Sequence, residues 1–154
     1  FYKDYAEKIK ELNIFSKGFH SGCIDCLLNV KGNNSESKWW IIDWKSNFIS
    51  TQAEIKSLPI NYNYKNMRAE MLKHHYPLQS HLYLLAAHRL LKWRLKNYDP
   101  QKHLGGYIYI FVRGLPSIEL NSKLISNNFY PGIFSSEAPL SRILFLDKLF
   151  NNEI

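Results

Sequence analysis

Cysteine is scarce in this sequence. Only 2 of the 154 residues are cysteines, so there is no disulfide framework of the kind that stabilises small secreted domains. Both lie in the motif Cys23-Ile24-Asp25-Cys26, whose apolar flanks predict a strand that points the two thiols to opposite sides. We therefore expect buried, unlinked thiols. Two cysteines also exclude a four-thiolate iron–sulfur cluster.

Other common signals are missing as well. No run of about 18 uncharged apolar residues occurs, which excludes a transmembrane helix and predicts no membrane partner. The chain opens Phe1-Tyr2-Lys3-Asp4, with neither an initiator Met nor a signal peptide. We expect an excised piece of a longer cytoplasmic protein. No G-x-x-x-x-G-K-[ST] nucleotide-binding loop occurs, so these residues carry no recognisable motor.

The composition is that of one globular domain with a basic surface. Hydrophobic residues make up 45% and charged residues 21%, which excludes a disordered tail. The formal net charge of +7 favours a polyanionic partner such as nucleic acid, although the same excess can simply aid solubility. Aromatic residues reach 15%, and these can fill a core or stack on bases.

Apolar patterning predicts a single α/β domain over residues 1–154. Residues 23–30 and 39–44 are typical of two strands around a polar loop, which favours an antiparallel hairpin. Residues 107–112 predict a further strand, after a loop that ends at Gly105 and Gly106. The predicted helices are a short one at 1–12, one at 66–75, one at 77–96 with Leu78, Leu82, Leu85 and Leu90 on its apolar side, and a last one capped by Ser136.

Asp43 and Lys45 are two apart in a predicted strand, so they share one face. The hairpin places Asp25 opposite or diagonal to Asp43. Two facing carboxylates repel each other unless a hard divalent cation lies between them, and oxygen ligands of this kind suit Mg²⁺ or Mn²⁺. Lys45 could then orient or help deprotonate a water and offset charge on a phosphate. The alternative is a solvated face with a weak Asp43–Lys45 surface pair.

Several motifs in order give a specific resemblance. They are Gly22-Cys23-Ile24-Asp25, Ile42-Asp43-Trp44-Lys45-Ser46-Asn47, Gln79-Ser80-His81-Leu82-Tyr83, Ala87-His88-Arg89, and residues 106–114. Together they resemble the PD-(D/E)xK nuclease superfamily, and within it the RecB-type nuclease domains of exodeoxyribonuclease V. The resemblance covers roughly residues 18 to 150. One D-x-K tripeptide is weak evidence, whereas elements in this order are strong evidence.

The resemblance implies a restriction-endonuclease-like α/β core, a central mixed sheet flanked by helices, that binds Mg²⁺ and cuts DNA. Carried over by position, Asp25 and Asp43 are metal ligands with the Trp44 carbonyl, and Lys45 is the catalytic lysine. Gln79 and Tyr83 face the site and the DNA backbone. Their i, i+4 spacing puts them on one helix face.

The resemblance also implies a context. The longer chain would be a bacterial helicase–nuclease that binds ATP, acts in double-strand break processing and recombinational repair, and has RecC-like and RecD-like subunits as partners. The basic residues Arg89, Lys92 and Arg113 are candidate contacts to the DNA backbone, and a solvated helix face is the alternative for them.

One family residue has no counterpart in this sequence. The family's metal-binding histidine lies on a helix well before the first Asp, and His20 is too close to Asp25 to be that residue. We therefore expect weak Mg²⁺ binding and poor cleavage from this chain alone. Two further alternatives stay open, which are a catalytically silent DNA-binding or scaffolding module of the same fold and a restriction-like endonuclease with another substrate.

Overall fold

Four strands form one mixed sheet in the computed structural model of the chain, which describes residues 5–7, 9, 21–32, 37–50, 59–117 and 130–151. The strands are β1 (Cys26–Lys31), β2 (Ser37–Lys45), β3 (Leu104–Phe111) and β4 (Ile133–Glu137), and they lie side by side in that order. β1 and β4 run antiparallel to their neighbours, whereas β2 and β3 are parallel. The predicted α/β fold is confirmed, and it is consistent with a restriction-endonuclease-like core.

The β1–β2 hairpin is confirmed, with the register that the sequence predicted. Cys26 pairs with Ile42 and Lys31 pairs with Ser37. Asp25 immediately precedes β1, so the hairpin brings it to the end of β2 where Asp43 lies. The hairpin therefore delivers both acids to the same end of the sheet.

The described helices are α1 (Tyr64–Lys73), α2 (Tyr76–Arg94), α3 (Pro100–His103) and α4 (Leu140–Phe150), with 3-10 turns at Pro59–Tyr62 and Val112–Gly114. Asn63 begins α1 because its side chain accepts a hydrogen bond from the Asn66 amide at 3.0 Å. Pro77 lies in the first turn of α2, as predicted. Residues 5–7 and 9 are helical, and the rest of the helix predicted at 1–12 lies outside the described residues.

The core lies between α1, α2 and one face of the sheet. Along α2 the buried residues include Leu84, Ala87 and Leu91, which fall on one side of the helix at 100° per residue. The prediction that Leu90 shares this apolar side is wrong, since Leu90 is 42% exposed. The side of α2 that contacts the sheet runs through Leu84 and Leu91, so Leu90 lies on the solvent side of the helix.

Gly105 and Gly106 belong to strand β3, so the prediction that they end a loop is wrong. Trp39 pairs with Leu104 and the next residue, Trp40, pairs with Gly106. Gly105 is thus an extra residue in β3, which makes a β-bulge. The Trp40 ring lies so close to both glycines that a Cβ on either would contact it at under 3 Å. Only glycine leaves room for this approach.

Ser136 does not cap the last helix. It lies in β4, where it pairs with Tyr107, and α4 begins at Leu140 after Pro139. A side-chain cap stabilises a helix by only about 1 kcal/mol. Pairing of five residues with β3 satisfies more backbone groups than one cap does, and it determines the conformation here.

Two smaller expectations concern the thiols and membranes. Both cysteines are free, as predicted, but Cys23 is exposed and Cys26 only half-buried, so the expected burial is wrong. The strand begins at Cys26, which leaves Cys23 in the segment before the sheet. Among the described helices, none combines the length and apolarity needed to cross a membrane.

Because the backbone at the bulge lies so close to Trp40, one added methyl group there should strongly destabilise the fold. In Gly106→Ala, the new Cβ would lie against the Ser136 carbonyl oxygen and 2.8 Å from the Trp40 ring. We expect the free energy of unfolding in urea to fall by about 1–3 kcal/mol or more. The control is Ser135→Ala, an exposed change on the adjacent strand β4, which should alter the value by under about 0.5 kcal/mol. Equal stabilities of the two variants would contradict the close packing.

Candidate active site

The site forms where β2 and β3 end side by side. Asp43 pairs with Tyr109 and Lys45 pairs with Phe111, so all four side chains belong to the sheet face that α2 covers. Asp43 is only 4% exposed. The sequence alternative of a solvated Asp43–Lys45 surface pair is therefore wrong, because α2 and the sheet remove both side chains from solvent.

Asp25 joins this site from the start of β1. Its Oδ2 accepts a hydrogen bond of 3.1 Å from the Trp44 amide, which ties the acid to the end of β2. Asp25 is exposed whereas Asp43 is buried. The negative charge of Asp25 acts on the Asp43 carboxyl. That the two carboxylates share one cation stays a prediction.

The Asp43 carboxyl is perturbed by its surroundings. Burial raises its pKa above the ordinary value, the Lys45 ammonium partly opposes that rise, and the negative charge of Asp25 adds to it. The unliganded site therefore favours the neutral acid more than water does. A positive ion between the carboxylates would relieve both effects.

Lys45 occupies a narrow pocket between charged, polar and aromatic groups. Its Nζ lies 2.6 Å from Asp43 Oδ2 and donates to Gln79 Oε1 at 3.0 Å. It also lies 4.0 Å from the centre of the Tyr76 ring and 5.1 Å from that of Tyr109. These distances suit cation–π attraction. The Lys45 side chain is only 12% exposed, so its ammonium has few alternative positions.

Gln79 and Tyr83 extend the contacts of Lys45 along α2, and their contact with the DNA backbone stays a prediction. Lys45 can only donate hydrogen bonds, and this fixes the Gln79 oxygen toward it. The Tyr109 hydroxyl donates to the same oxygen at 3.0 Å. The Gln79 Nε2 then donates to the Tyr83 hydroxyl at 3.2 Å. Gly22 allows this arrangement, because a Cβ there would approach the Tyr83 ring to 3.2 Å.

The sequence analysis did not single out three residues near Lys45, which are Tyr76, Asn47 and Tyr109. Tyr76 hydrogen-bonds through its hydroxyl to Asn47 Oδ1 at 2.9 Å, and Asn47 Nδ2 donates to Glu70 at 3.0 Å. Tyr109 completes the pocket from β3. Its place on the Asp43 face follows from strand alternation once the register is known, but the sequence does not give the register. Asn47 lies within the motif that carries Lys45, and that proximity was the available signal.

The donor set fits a hard divalent cation. Asp43 Oδ2 is buried, and among the described residues its close polar contact is the Lys45 ammonium at 2.6 Å. Two carboxylates at one strand end are ligands that Mg²⁺ accepts together with water. Within the described ranges, no group of three or more His, Cys, Asp and Glu side chains could hold a metal. The acids that the structure brings together there are Asp25 and Asp43, and His20 lies outside the described residues.

Two of the basic residues lie far from this site. Arg89 donates to Asp147 at 2.7 Å and to Asn151 at 2.9 Å, and Lys92 lies 3.9 Å from Asp147. They follow Gln79 by ten and thirteen residues, or about 15 and 20 Å along the helix axis. Their contact with DNA stays a prediction.

Arg113, in contrast, lies next to the site. Its Nε donates to the Ser46 carbonyl at 2.9 Å, directly after the motif that carries Lys45. The guanidinium is exposed at the same end of the sheet as the two acids.

The ionisation of Asp43 and that of Asp147 should change the free energy of unfolding in opposite directions. The pKa of Asp147 is lowered, because Arg89, His88 and Lys92 together outweigh the upward effect of burial. In EDTA, Asp43→Asn should lower the free energy of unfolding at pH 7, since it leaves the buried Lys45 ammonium without its partner. Asp147→Asn should lower the same quantity, since it removes a favourable ion pair.

Urea titrations between pH 3 and 7 measure both effects. Protonated Asp43 adds to the free energy of unfolding below its unfolded-state pKa of about 3.9. This contribution is lost as the pH rises through the higher folded-state pKa. Asp147 stabilises above about pH 3.9, and this contribution disappears as the pH falls through its lower folded-state value. As the pH rises, the stability of the unaltered protein relative to each variant should fall for Asp43→Asn and grow for Asp147→Asn. Changes in the same direction for both variants would contradict one of these assignments.

The sequence is similar to proteins named RecBCD enzyme subunit RecB. It is 36% identical to the one from Mycolicibacterium smegmatis over 137 residues, which are 89% of this chain and 12% of the relative. It is 30% identical to RecB from Mycobacterium tuberculosis over 135 residues, 88% of this chain and 11% of the relative. RecB from Escherichia coli is also 30% identical, over 134 residues that are 87% of this chain and 10% of the relative.

No protein-family profile matches the chain. The chain spans only about a tenth of the length of the relatives, but the matches cover nearly all of the chain. The resemblance predicted from the motifs is therefore confirmed. The chain belongs to the RecB family, as a segment that corresponds to about one tenth of the RecB subunit.

Proposed function

We propose that the chain is a Mg²⁺-dependent DNA nuclease domain of a RecB-type helicase–nuclease. The observation that carries this proposal is the convergence of Asp25, Asp43 and Lys45 at one end of the sheet. A buried acid, a second acid and a lysine are the groups that metal-assisted phosphodiester hydrolysis requires.

Asp25, Asp43 and the Trp44 carbonyl would hold the cation, with Mn²⁺ as a second candidate metal. A bound divalent ion would supply positive charge where negative charge builds up on the phosphate. The proposed site uses no iron–sulfur cluster. With two carboxylates as the charged ligands, most of the remaining coordination positions would belong to water and to the substrate.

The side chains around the cation have separate roles. Lys45 donates hydrogen bonds toward the reacting phosphate or the attacking water, and Gln79 with the two tyrosine rings keeps its ammonium in place. Tyr83 accepts a hydrogen bond from Gln79, which leaves its own proton to donate to a phosphate oxygen. Arg113 adds positive charge at the same end of the sheet.

The wider context is part of this proposal. The substrate is DNA, the longer chain binds ATP, and RecC-like and RecD-like subunits complete the complex in the bacterial cytoplasm. The process is double-strand break processing and recombinational repair. The name of the relatives, a subunit of the RecBCD enzyme, supports this assignment.

The main test is cleavage of linear DNA by the full-length protein with Mg²⁺. We expect Asp25→Ala or Asp43→Ala to abolish cleavage. Lys45→Met should lower kcat by about 10²–10⁴-fold, because the variant loses a positioned donor. The matched control is Lys73→Met on α1, whose side chain is 71% exposed, and it should cleave like the unaltered protein. DNA binding without cleavage in the unaltered protein would instead favour a catalytically silent module.

The pocket around Lys45 makes a second prediction. Tyr76→Leu removes the ring 4.0 Å from the ammonium, whereas Tyr76→Phe keeps the ring and loses only the hydroxyl that contacts Asn47. We expect the leucine variant to lose about tenfold in kcat with an unchanged KM for DNA, and the phenylalanine variant to keep most of its activity. Tyr64→Leu is the control, since Tyr64 stacks on Phe134 away from Lys45. Equal losses in the two Tyr76 variants would assign the role to the hydroxyl instead.

A further inference from the structure

The face of α2 that carries Gln79 and Tyr83 continues to the end of the helix as an exposed stripe. At about 100° per residue, Ala86, Leu90 and Trp93 all lie within about 40° of Gln79 around the helix axis. All three are exposed, Leu90 by 42% and Trp93 by 73%. These five positions are called the α2 stripe below. It starts beside the catalytic residues and ends at Trp93, about 21 Å away along the axis.

Trp93 is the unusual member of the α2 stripe. An indole ring that is 73% exposed leaves a large apolar surface in water, and such rings are usually buried against a partner. The Arg94 guanidinium lies 4.1 Å from the centre of this ring. This cation–π contact restrains the ring while most of its surface stays open. Trp93 is thus an oriented aromatic platform.

The charge around the platform selects an anionic partner. Helix α2 contains no Asp or Glu. Arg89 and Arg94 lie on either side of the α2 stripe, and Lys92 has a side chain that is 66% exposed. The nearby acid Asp147 is only 11% exposed and is paired with Arg89, so its negative charge is compensated within the protein. Most of the solvent-exposed charge at this end of the helix is therefore positive.

We propose that the α2 stripe is a second contact site for single-stranded DNA, at which Trp93 stacks on an unpaired base while Arg94 neutralises a neighbouring phosphate. The inference rests on the proposed function for the identity of the polyanion. A base in a duplex has no free face, so an open indole ring selects single strands. At about 3.4 Å per nucleotide, the 21 Å stripe corresponds to about six nucleotides between the stacked base and the catalytic residues.

Photocrosslinking tests this contact in the full-length protein. Single-stranded oligonucleotides with one 5-iodouracil at successive positions are bound in EDTA, irradiated, and mapped on the protein by mass spectrometry. EDTA prevents Mg²⁺-dependent cleavage, so the readout does not depend on activity. We expect a crosslink at Trp93 that persists in Trp93→Tyr and disappears in Trp93→Leu. Tyr64 is the internal control, because it is 55% exposed but lies on α1 without the stripe, and it should not crosslink.

A charge variant tests the phosphate contact. Arg94→Gln should lower the Trp93 crosslink yield several-fold. It should also make the log–log salt dependence of that yield less steep by about 0.7, the value for one phosphate of a single strand. The matched control is Lys73→Gln, an exposed charge change on α1, which should leave both quantities unchanged.

The outcomes separate this inference from the proposed function. Crosslinks elsewhere in the protein but none at Trp93 would overturn it, as would equal yields at Tyr64 and Trp93. Protection of Trp93 by an associated subunit, together with no DNA crosslink, would identify the stripe as a protein interface and overturn it as well. A Trp93 crosslink without any Mg²⁺-dependent cleavage would support the contact and count against the nuclease.

Discussion

The buried ion pair between Asp43 and Lys45 is the constraint on which the rest of the site depends. Both groups lie on a covered face of the sheet, where a lone charge would be strongly unfavourable. The pair is tolerable because Gln79 and two tyrosine rings contact the ammonium and satisfy part of its need for partners. Helix α2 therefore has to begin where it does, since it supplies Tyr76 and Gln79 in its first turns.

In this arrangement, Lys45 is better stabilised by its neighbours than the two acids are. The Tyr76 and Tyr109 rings and the amide oxygen of Gln79 stabilise the Lys45 ammonium, but the surroundings as a whole still raise the pKa of Asp43. Asp25 adds repulsion instead of relief. Acids whose charge is only partly compensated by neighbouring groups are characteristic of sites that bind a ligand. The same helix that covers the pair also extends beyond it, with an exposed basic and aromatic end. One element thus links the proposed chemistry to the proposed contact site for single-stranded DNA.

The sequence predicted the hairpin and the shared face of Asp43 and Lys45, because both follow from local periodicity, whereas the helix pair Gln79 and Tyr83 came from the family resemblance. The apolar run before Asp43 and the polar loop after β1 fixed the strands and their register. The sequence did not predict the strand at Ser136 or the exposure of Leu90, since tertiary packing decides which face of an element is covered. Nor did it predict Tyr76 and Tyr109 around Lys45. Their positions depend on parallel pairing between strands separated by three helices, which no local pattern encodes.

The bulge at Gly105 determines which side chains of β3 lie beside Asp43 and Lys45. If β3 paired regularly, with Gly105 opposite Trp40 and no bulge, each position of β2 beyond Trp39 would meet the preceding residue of β3. Asp43 would then lie beside Ile108, and the hydroxyl of Tyr109 would point to the opposite side of the sheet. The lysine would face aliphatic carbon in place of an aromatic ring and a hydrogen-bond donor. A single glycine with no side chain of its own thus decides which chemical groups surround the lysine five residues along the neighbouring strand.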